Sequence, residues 1–291
     1  MTFNKRTPLV KLNDGYLIPQ LGFGVYQIDK KDTVKAVEKA FDCGYKHIDT
    51  AKSYGNEKEV GDAIRAQKEH IYVTTKYFNP DTKEHGYEDA LAHFEQSYRA
   101  LGLKHIDLYL IHWPIVKNDG YVAAWKALIE LQKSDRVKSI GVSNFTQEHI
   151  SRIIEETSVV PAVNQIEMHP YFQQEELRAF HKKHGILTEA WSPLGRGKVL
   201  DDKVLNGIAK DHHKTAAQIV LRWHMQLGVI TFPKSTTPER IEENYAIFDF
   251  ELSKDEMAAI KALEKGERNG PDPAVYTFPE DLLRKRAASK K

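Results

Sequence analysis

The chain has 291 residues, with 42 lysines and arginines against 41 aspartates and glutamates. This balance gives no strong net field for nucleic acid or an anionic membrane, so a small, neutral or weakly charged ligand is the expected partner. No apolar run predicts a membrane span or an export signal, and the single cysteine, Cys43, excludes an internal disulfide, which together favour a cytoplasmic protein.

The predicted elements alternate regularly along the chain. A short hairpin comes first, at residues 10–18, with Asp14-Gly15 at its turn. After it, apolar runs rich in β-branched and aromatic residues alternate with amphipathic segments, which predicts repeated βα units and a parallel sheet. Strands are predicted near 20–24, 45–49, 71–75, 106–111, 138–142, 162–166, 186–190 and 229–232.

Helices are predicted where apolar residues recur at helical spacing. The clearest stripe consists of Leu91, Phe94, Tyr98 and Leu101, at spacings of three, four and three. The other helices are predicted near 32–43, 57–67, 121–133, 147–156, 174–184, 203–211, 215–227, 238–246 and 253–264.

Eight strands in this order predict a closed (β/α)8 TIM barrel, and we expect residues 1–291 to form one such domain. The hairpin is expected to cap the N-terminal mouth, and residues 265–278 to fold as a loop over the opposite mouth. An open doubly wound sheet is the alternative. It predicts G-x-G-x-x-G after the first strand, but the segment from Gly22 to Gln27 lacks the third glycine.

Polar and aromatic side chains follow the predicted strands one after another. In a parallel barrel these positions share one face, where active sites are built. Asp49, Lys76 and His112 stand at or just past three strand ends, and Tyr54 follows the first of them. A carboxylate and an ammonium beside one phenol, with an imidazole nearby, are suited to protonating a carbonyl oxygen. Further positions of this kind are Ser143, Asn144, Gln165, Trp191, Lys234 and Ser235.

These residues stand in segments that together resemble the aldo-keto reductase family over almost the whole chain. The chain is most similar to the microbial 2,5-diketo-D-gluconate reductase type within that family. The resemblance implies a barrel that binds NADPH and reduces aldehydes or ketones to alcohols. The matching segments are His47-Ile48-Asp49-Thr50-Ala51, Tyr54-Gly55-Asn56-Glu57, Thr74-Thr75-Lys76, Leu110-Ile111-His112-Trp113-Pro114, Gly141-Val142-Ser143-Asn144-Phe145, Asn164-Gln165-Ile166-Glu167-Met168-His169-Pro170, Trp191-Ser192-Pro193-Leu194-Gly195 and Pro233-Lys234-Ser235, ahead of Arg240 and Asn244.

The resemblance implies a catalytic tetrad of Asp49, Tyr54, Lys76 and His112. Tyr54 would donate the proton, and the ammonium of Lys76 would lower the pKa of its phenol. Asp49 would pair with Lys76 and offset the cost of burying its charge. His112 would hydrogen-bond the substrate carbonyl while the cofactor delivers a hydride to its carbon.

The resemblance also implies which residues bind the cofactor. Ser143, Asn144 and Gln165 would bind the nicotinamide carboxamide, and Trp191 would face the ring. A second group would bind the adenosine end. Lys234, Ser235 and Arg240 lie beside a helix start and suit a 2′-phosphate, which favours NADP over NAD, and Asn244 would reach the adenine.

The substrate mouth departs from the family. Relatives usually have Leu-Trp-Asn where this chain has Tyr77-Phe78-Asn79, and Trp or Phe where it has Tyr26. Tyr26, Phe78 and Trp113 are predicted to contact the substrate beside His112. The physiological carbonyl compound therefore stays open, and a monomer is expected.

Some assignments have purely structural alternatives. Asp49 and Lys76 could instead form a purely structural ion pair in the barrel mouth. Trp191 and Trp113 could also be ordinary packing aromatics, and Lys234 with Arg240 could be charges at a solvated helix start.

Two rival functions also remain open. One is a non-catalytic relative that binds NADPH, and the other is a lyase or aldolase that forms a Schiff base through Lys76. No metal site is expected, because neither of two histidine pairs has a carboxylate or cysteine at the spacing that would complete a ligand set. Both pairs are predicted to lie on the surface. These pairs are His181 with His184 and His212 with His213.

Overall fold

The structure is a computed structural model and describes residues 7–78, 86–114 and 120–276. Asn79 of the predicted substrate mouth lies outside the described residues, as do residues 277–278 of the predicted C-terminal loop. None of the helices in these ranges has both the length and the apolar character needed to cross a bilayer.

Strands and helices alternate as predicted after an initial hairpin. The strands are β1 (Leu9–Lys11), β2 (Leu17–Pro19), β3 (Phe23–Gly24), β4 (His47–Asp49), β5 (Tyr72–Tyr77), β6 (Ile106–Ile111), β7 (Val137–Ser143), β8 (Val163–Glu167), β9 (Leu187–Trp191) and β10 (Ile230–Thr231). The helices are α1 (Lys30–Cys43), α2 (Glu57–Arg65), α3 (Tyr87–Leu101), α4 (Tyr121–Lys133), α5 (Gln147–Thr157), α6 (Glu175–His184), α7 (Lys203–Asp211), α8 (Ala216–Gln226), α9 (Pro238–Tyr245) and α10 (Lys254–Lys261).

Strands β3 to β10 form one parallel sheet in sequential order. The sheet closes on itself, because Leu21 bridges to Thr231 and the Gly22 N–H donates to the Thr231 carbonyl over 3.0 Å. A further bond runs from the Gly24 N–H to the Pro233 carbonyl over 3.1 Å. The predicted (β/α)8 barrel is confirmed, and all its strands end at one mouth.

The hairpin of β1 and β2 packs under the other mouth. Its strands pair antiparallel, and Gly15 at the turn has a φ of 96°, which favours glycine. Its side chains Leu12 and Ile18 are buried in a cluster with Leu108 and Ile230 from inside the barrel. The hairpin therefore closes the N-terminal mouth.

The main core lies between the outer faces of the strands and the ring of helices. Buried aromatic side chains fill it, among them Phe94, Trp125 and Phe145. Inside, Gly141 lets β7 approach its neighbours, since a Cβ there would stand 2.8 Å from the Val163 carbonyl oxygen.

Some predicted boundaries shift. The first barrel strand shortens to two residues, and β7 begins one residue earlier and reaches Ser143. The prediction that His181 lies on the surface is wrong: its ring is fully buried, between the Asn164 amide at 3.0 Å and the Thr188 hydroxyl at 2.9 Å. A histidine can be buried when both ring nitrogens have partners, and helical spacing alone does not show those partners.

Candidate active site

The four predicted catalytic residues come together at the carboxyl ends of neighbouring strands. Asp49 is the last residue of β4, Lys76 lies near the end of β5, and His112 directly follows β6. Tyr54 ends a single 3-10 turn, Lys52–Tyr54, that begins shortly after β4. This placement follows from the parallel register, in which Asp49 stands opposite Thr74 and Lys76 opposite Leu110.

Lys76 and Asp49 form a buried ion pair. The Lys76 Nζ lies 2.8 Å from Asp49 Oδ1 and 2.7 Å from Oδ2, and it also donates to the Thr50 carbonyl over 2.9 Å. The lysine side chain is fully buried. These three contacts account for the three donors of the ammonium, so Lys76 is not placed as the free amine that a Schiff base requires.

Tyr54 lies above this pair, with the Lys76 Nζ 5.2 Å from the centre of its ring. Burial, followed by the negative charge of Asp49, raises the pKa of the Tyr54 phenol well above its ordinary value. The net shift is therefore opposite to the lowering that the sequence predicted from Lys76 alone. Burial of the phenol is the larger cause, and the Asp49 carboxylate, which contacts the ammonium through both oxygens, adds to it.

His112 stands beside Tyr54, with ring centres 5.8 Å apart. Burial, followed by the positive charge of Lys76, holds the pKa of His112 well below its ordinary value, so the imidazole is neutral at pH 7. Its Nδ1 lies 3.5 Å from the Ser53 hydroxyl oxygen. In the tautomer in which Nδ1 accepts from the Ser53 hydroxyl, Nε2 carries the proton.

The residues predicted to bind the nicotinamide form one hydrogen-bond network. Gln165 donates from Nε2 to Asp49 Oδ2 and to Glu189 Oε2, both over 2.9 Å. Asn144, with a positive φ of 62°, donates to the His112 carbonyl over 2.9 Å and accepts from the Trp191 indole N–H over 2.8 Å. The catalytic pair and the cofactor residues are thus held by shared contacts.

The Ser143 hydroxyl belongs to the same network. It donates to the Gln165 backbone carbonyl over 2.9 Å and accepts from the Asn144 amide over 3.1 Å. Ser143 is the last residue of β7 and is fully buried, which fixes it at the mouth.

Glu189 is a site residue that sequence reasoning missed. Its carboxyl is fully buried in β9, and burial, followed by the negative charge of Asp49, raises the pKa of Glu189 well above its ordinary range. A signal was present, since an ionisable residue in the middle of a short apolar strand is unusual.

The predicted phosphate-binding residues lie apart from the tetrad, between β10 and α9. Lys234 and Arg240 are exposed, and Ser235 is buried with its hydroxyl accepting from the Thr237 N–H over 3.0 Å. Asn244 is buried, so it differs in exposure from Arg240 one helical turn earlier. The two cations flank the start of α9, where the first backbone N–H groups point outward.

Three aromatic residues lie near the tetrad at the mouth. Tyr26 packs against Tyr54 at 4.9 Å between ring centres, and Phe78 lies 5.4 Å from the His112 ring. Trp113 packs 4.4 Å from the Tyr276 ring, which joins the C-terminal segment to the mouth.

Glu167 at the end of β8 ties that segment down, and this residue was also missed. Its carboxylate accepts from the Asn269 N–H over 2.6 Å and from the Gly270 N–H over 2.8 Å. Burial by itself would raise the pKa of Glu167, but these bonds and the His169 Nε2, which lies 3.1 Å from Oε1, outweigh it, so the net pKa is lowered. No local pattern relates Glu167 to residues about a hundred positions later.

Comparisons with known proteins place the whole chain. The family model described as the aldo/keto reductase family matches residues 20–265. An aldo-keto reductase of Mycolicibacterium smegmatis is 51% identical over 275 residues, which cover 94% of this chain and 99% of the relative. The methylglyoxal reductase DkgA of Escherichia coli K12 is 47% identical over 273 residues, covering 92% and 98%.

A solved structure is similar over the same length. The crystal structure of a Gox0644 variant in complex with NADPH has a TM-score of 0.90 and 47% identity, and the match covers 94% of this chain and 99% of that one. The resemblance predicted from the sequence motifs is confirmed.

Proposed function

The chain belongs to the aldo/keto reductase family, and on that premise we propose that this NADP-dependent oxidoreductase reduces small aldehydes and ketones to alcohols, with Tyr54 as proton donor. The observation that carries the proposal is the convergence of Asp49, Tyr54, Lys76 and His112 at one mouth of the barrel. We further propose that residues 1–291 form one domain and that the protein works as a cytoplasmic monomer.

NADPH, when bound, supplies the hydride that adds to the carbonyl carbon. The carbonyl oxygen then needs a proton, and the Tyr54 phenol holds one at neutral pH, since an ordinary phenol is already protonated there and burial raises this pKa further. An alkoxide is more basic than a phenolate, so the transfer runs from Tyr54 to the new alcohol oxygen. Solvent returns the proton to Tyr54 before the next turnover.

His112 and Lys76 act on the two oxygens of this step. The neutral imidazole of His112 donates from Nε2 to the carbonyl oxygen, which orients the substrate beside Tyr54. Lys76 lies close enough to stabilise the phenolate that Tyr54 becomes. General acid catalysis of this kind contributes roughly 10²- to 10⁴-fold, and positioning contributes the rest.

The nicotinamide end fits the network of Gln165, Asn144 and Ser143. Both N–H groups of the Gln165 amide donate to carboxylates of the protein. Its Oε1 is left to accept a hydrogen bond from the carboxamide. Trp191 offers a flat indole face, held in orientation by its bond to Asn144.

The adenosine end fits the segment around α9. Lys234 and Arg240 are exposed cations, and no ion pair within the described ranges involves them, so both are available to a 2′-phosphate. Ser235 lies between them in sequence and Asn244 follows one turn later, where its amide suits the adenine. This arrangement favours NADPH over NADH.

The substrate class is proposed from the mouth and the relatives. Tyr26, Phe78 and Trp113 form aromatic walls around His112 and suit small carbonyl compounds with an apolar part. The name of the DkgA relative points to 2-oxoaldehydes such as methylglyoxal, with keto-sugars as the next class.

The test is NADPH oxidation, followed by absorbance, with a panel of methylglyoxal, keto-sugars, keto acids and aromatic aldehydes. We expect turnover that depends on both NADPH and the carbonyl compound, with the alcohol as product. NADPH binding without turnover of any compound would support a non-catalytic relative instead. Borohydride trapping of a substrate adduct on Lys76 would support the Schiff-base alternative.

A further inference from the structure

Two histidines and an aspartate meet at the end of the barrel opposite the candidate active site. His70 precedes β5, while His105 and Asp107 stand at the start of β6. Because Thr74 is paired with Leu108, the starts of these parallel strands are neighbours, and their side chains gather at the N-terminal mouth.

The three side chains point at a common place. The His70 Nε2 lies 2.9 Å from Asp107 Oδ1, and the His105 Nε2 lies 3.5 Å from the same oxygen. One ligand atom from each residue lies within 4.8 Å of the others. A tetrahedral ion with bonds of the usual length separates its ligand atoms by about 3.3 Å, so small rotations of the two imidazoles suffice to close the set.

The carboxylate is oriented for this geometry. Its other oxygen, Oδ2, accepts a hydrogen bond from the Val73 N–H over 2.9 Å, which fixes the plane of the buried Asp107 and leaves Oδ1 for a ligand. Hydrogen bonds of this kind orient the ligands of metal ions in proteins. Nearby, Lys138 is paired with Asp135 at 2.7 Å, so its charge is compensated.

The donor set has a clear preference among metals. Two imidazoles and one carboxylate suit a divalent transition metal such as Zn²⁺, whereas Ca²⁺ and Mg²⁺ prefer oxygen ligands. His70 is largely exposed, with 63% of its side chain accessible, so an ion can enter from solvent and keep water in its remaining position.

We propose that His70, His105 and Asp107 form a binding site for Zn²⁺ or a similar divalent transition metal ion. The ion links the starts of β5 and β6 at the N-terminal face of the barrel. In barrels of this type that face serves stability, so the ion takes no part in carbonyl reduction. Protons compete with a metal for imidazole nitrogens, so binding is measured slightly above neutral pH.

The experiment is a calorimetric titration of Zn²⁺ into chelator-treated protein without an affinity tag, slightly above neutral pH. We compare wild type with His70→Gln and His105→Gln. The matched control is His212→Gln, since the His212 Nε2 also pairs with a carboxylate, that of Glu256 at 2.8 Å, but belongs to no three-ligand group in the described part of the chain.

We expect saturable binding of one ion per chain in wild type. Each substitution of His70 or His105 weakens it at least about tenfold, the scale on which even indirect partners of a metal affect affinity. The control keeps the wild-type affinity. Co²⁺ gives a second readout, since its visible spectrum in wild type should show nitrogen ligands and lose intensity in both ligand variants.

Other results overturn the proposal. Absence of saturable binding in wild type, or equal affinity in wild type and both ligand variants, would mean that the cluster is an ordinary set of ion pairs. An equal loss in His212→Gln would place the ion elsewhere. Both ligand variants change surface-accessible rings, and their NADPH-dependent rates without added metal should match wild type, which verifies that they fold.

Discussion

Gly270 lies directly against Trp191, and a Cβ built on it would stand 2.5 Å from the indole Cη2. The contact joins the C-terminal segment to the side chain proposed to face the nicotinamide. Gly270 is not among the glycines with positive φ, so alanine would meet only a steric obstacle there.

Gly270→Ala should therefore push the indole or the segment out of place. We expect kcat/KM for carbonyl reduction to fall roughly tenfold or more, because small displacements at a reacting site are costly. Steady-state kinetics and NADPH titration would measure the effect. Gly207→Ala is the control, since nothing lies within 4 Å of its added Cβ; equal rates for both variants would mean that the contact has no functional role.

Tyr54→Phe should remove the proposed proton donor and little else. Turnover should fall by at least about 10²-fold while NADPH affinity stays nearly unchanged. Tyr26→Phe is the matched control, because Tyr26 packs 4.9 Å from Tyr54 and loses the same hydroxyl. If Tyr54→Phe retained more than a tenth of the wild-type turnover, another group would be the donor.

Lys76→Met should leave Asp49 as an unpaired buried charge. Breaking a buried pair on one side costs roughly 3–5 kcal/mol of unfolding free energy, and adding Asp49→Asn should recover much of that loss. Turnover should stay low in both the single and the double variant, because neither has the ammonium. Urea unfolding and steady-state rates separate the two effects, and wild-type turnover in the double variant would remove Lys76 from the mechanism.

Arg240→Ala should weaken NADPH binding selectively. Charged hydrogen bonds contribute about 1.5–3 kcal/mol, which corresponds to a loss of roughly 10- to 150-fold in affinity. NADH lacks the 2′-phosphate and should bind as before. The test is to measure the dissociation constants of both cofactors for wild type and Arg240→Ala at two ionic strengths. Lys254→Ala, which removes another exposed cation, is the control. Equal losses for NADH and NADPH would assign Arg240 to the fold or to the adenine.

Glu189→Gln should change how stability depends on pH. The folded state raises the pKa of Glu189, so it holds this proton more tightly than the unfolded state, whose value is about 4.3. The stability that this group contributes is fully present below its pKa in the unfolded state. It is lost as the pH rises toward its higher pKa in the folded state.

The glutamine variant resembles the protonated carboxyl and still accepts from Gln165, so it should not lose that stability. The free energy of unfolding, measured with urea at about pH 6 and about pH 9, should therefore favour the variant more at the higher pH. Glu239→Gln, an exposed change on α9, should show no such trend. A constant difference between Glu189→Gln and wild type would show that Glu189 does not titrate in this range.

The sequence by itself was sufficient for the barrel and for the gathering of Asp49, Lys76 and His112. Both depend on local patterns: apolar runs of strand length alternate with helical stripes, and the carboxyl ends of parallel strands meet at one mouth whatever the details of packing. The motif residues could therefore be placed by their positions after predicted strands.

Tertiary structure decided properties that depend on partners distant in the chain. The pKa of Tyr54 is raised because its phenol is buried close to the Asp49 carboxylate. His181 is buried because Asn164 and Thr188 satisfy its ring. Burial and hydrogen bonding are set by packing across the whole fold, and the local periodicity that identifies strands and helices carries no information about them.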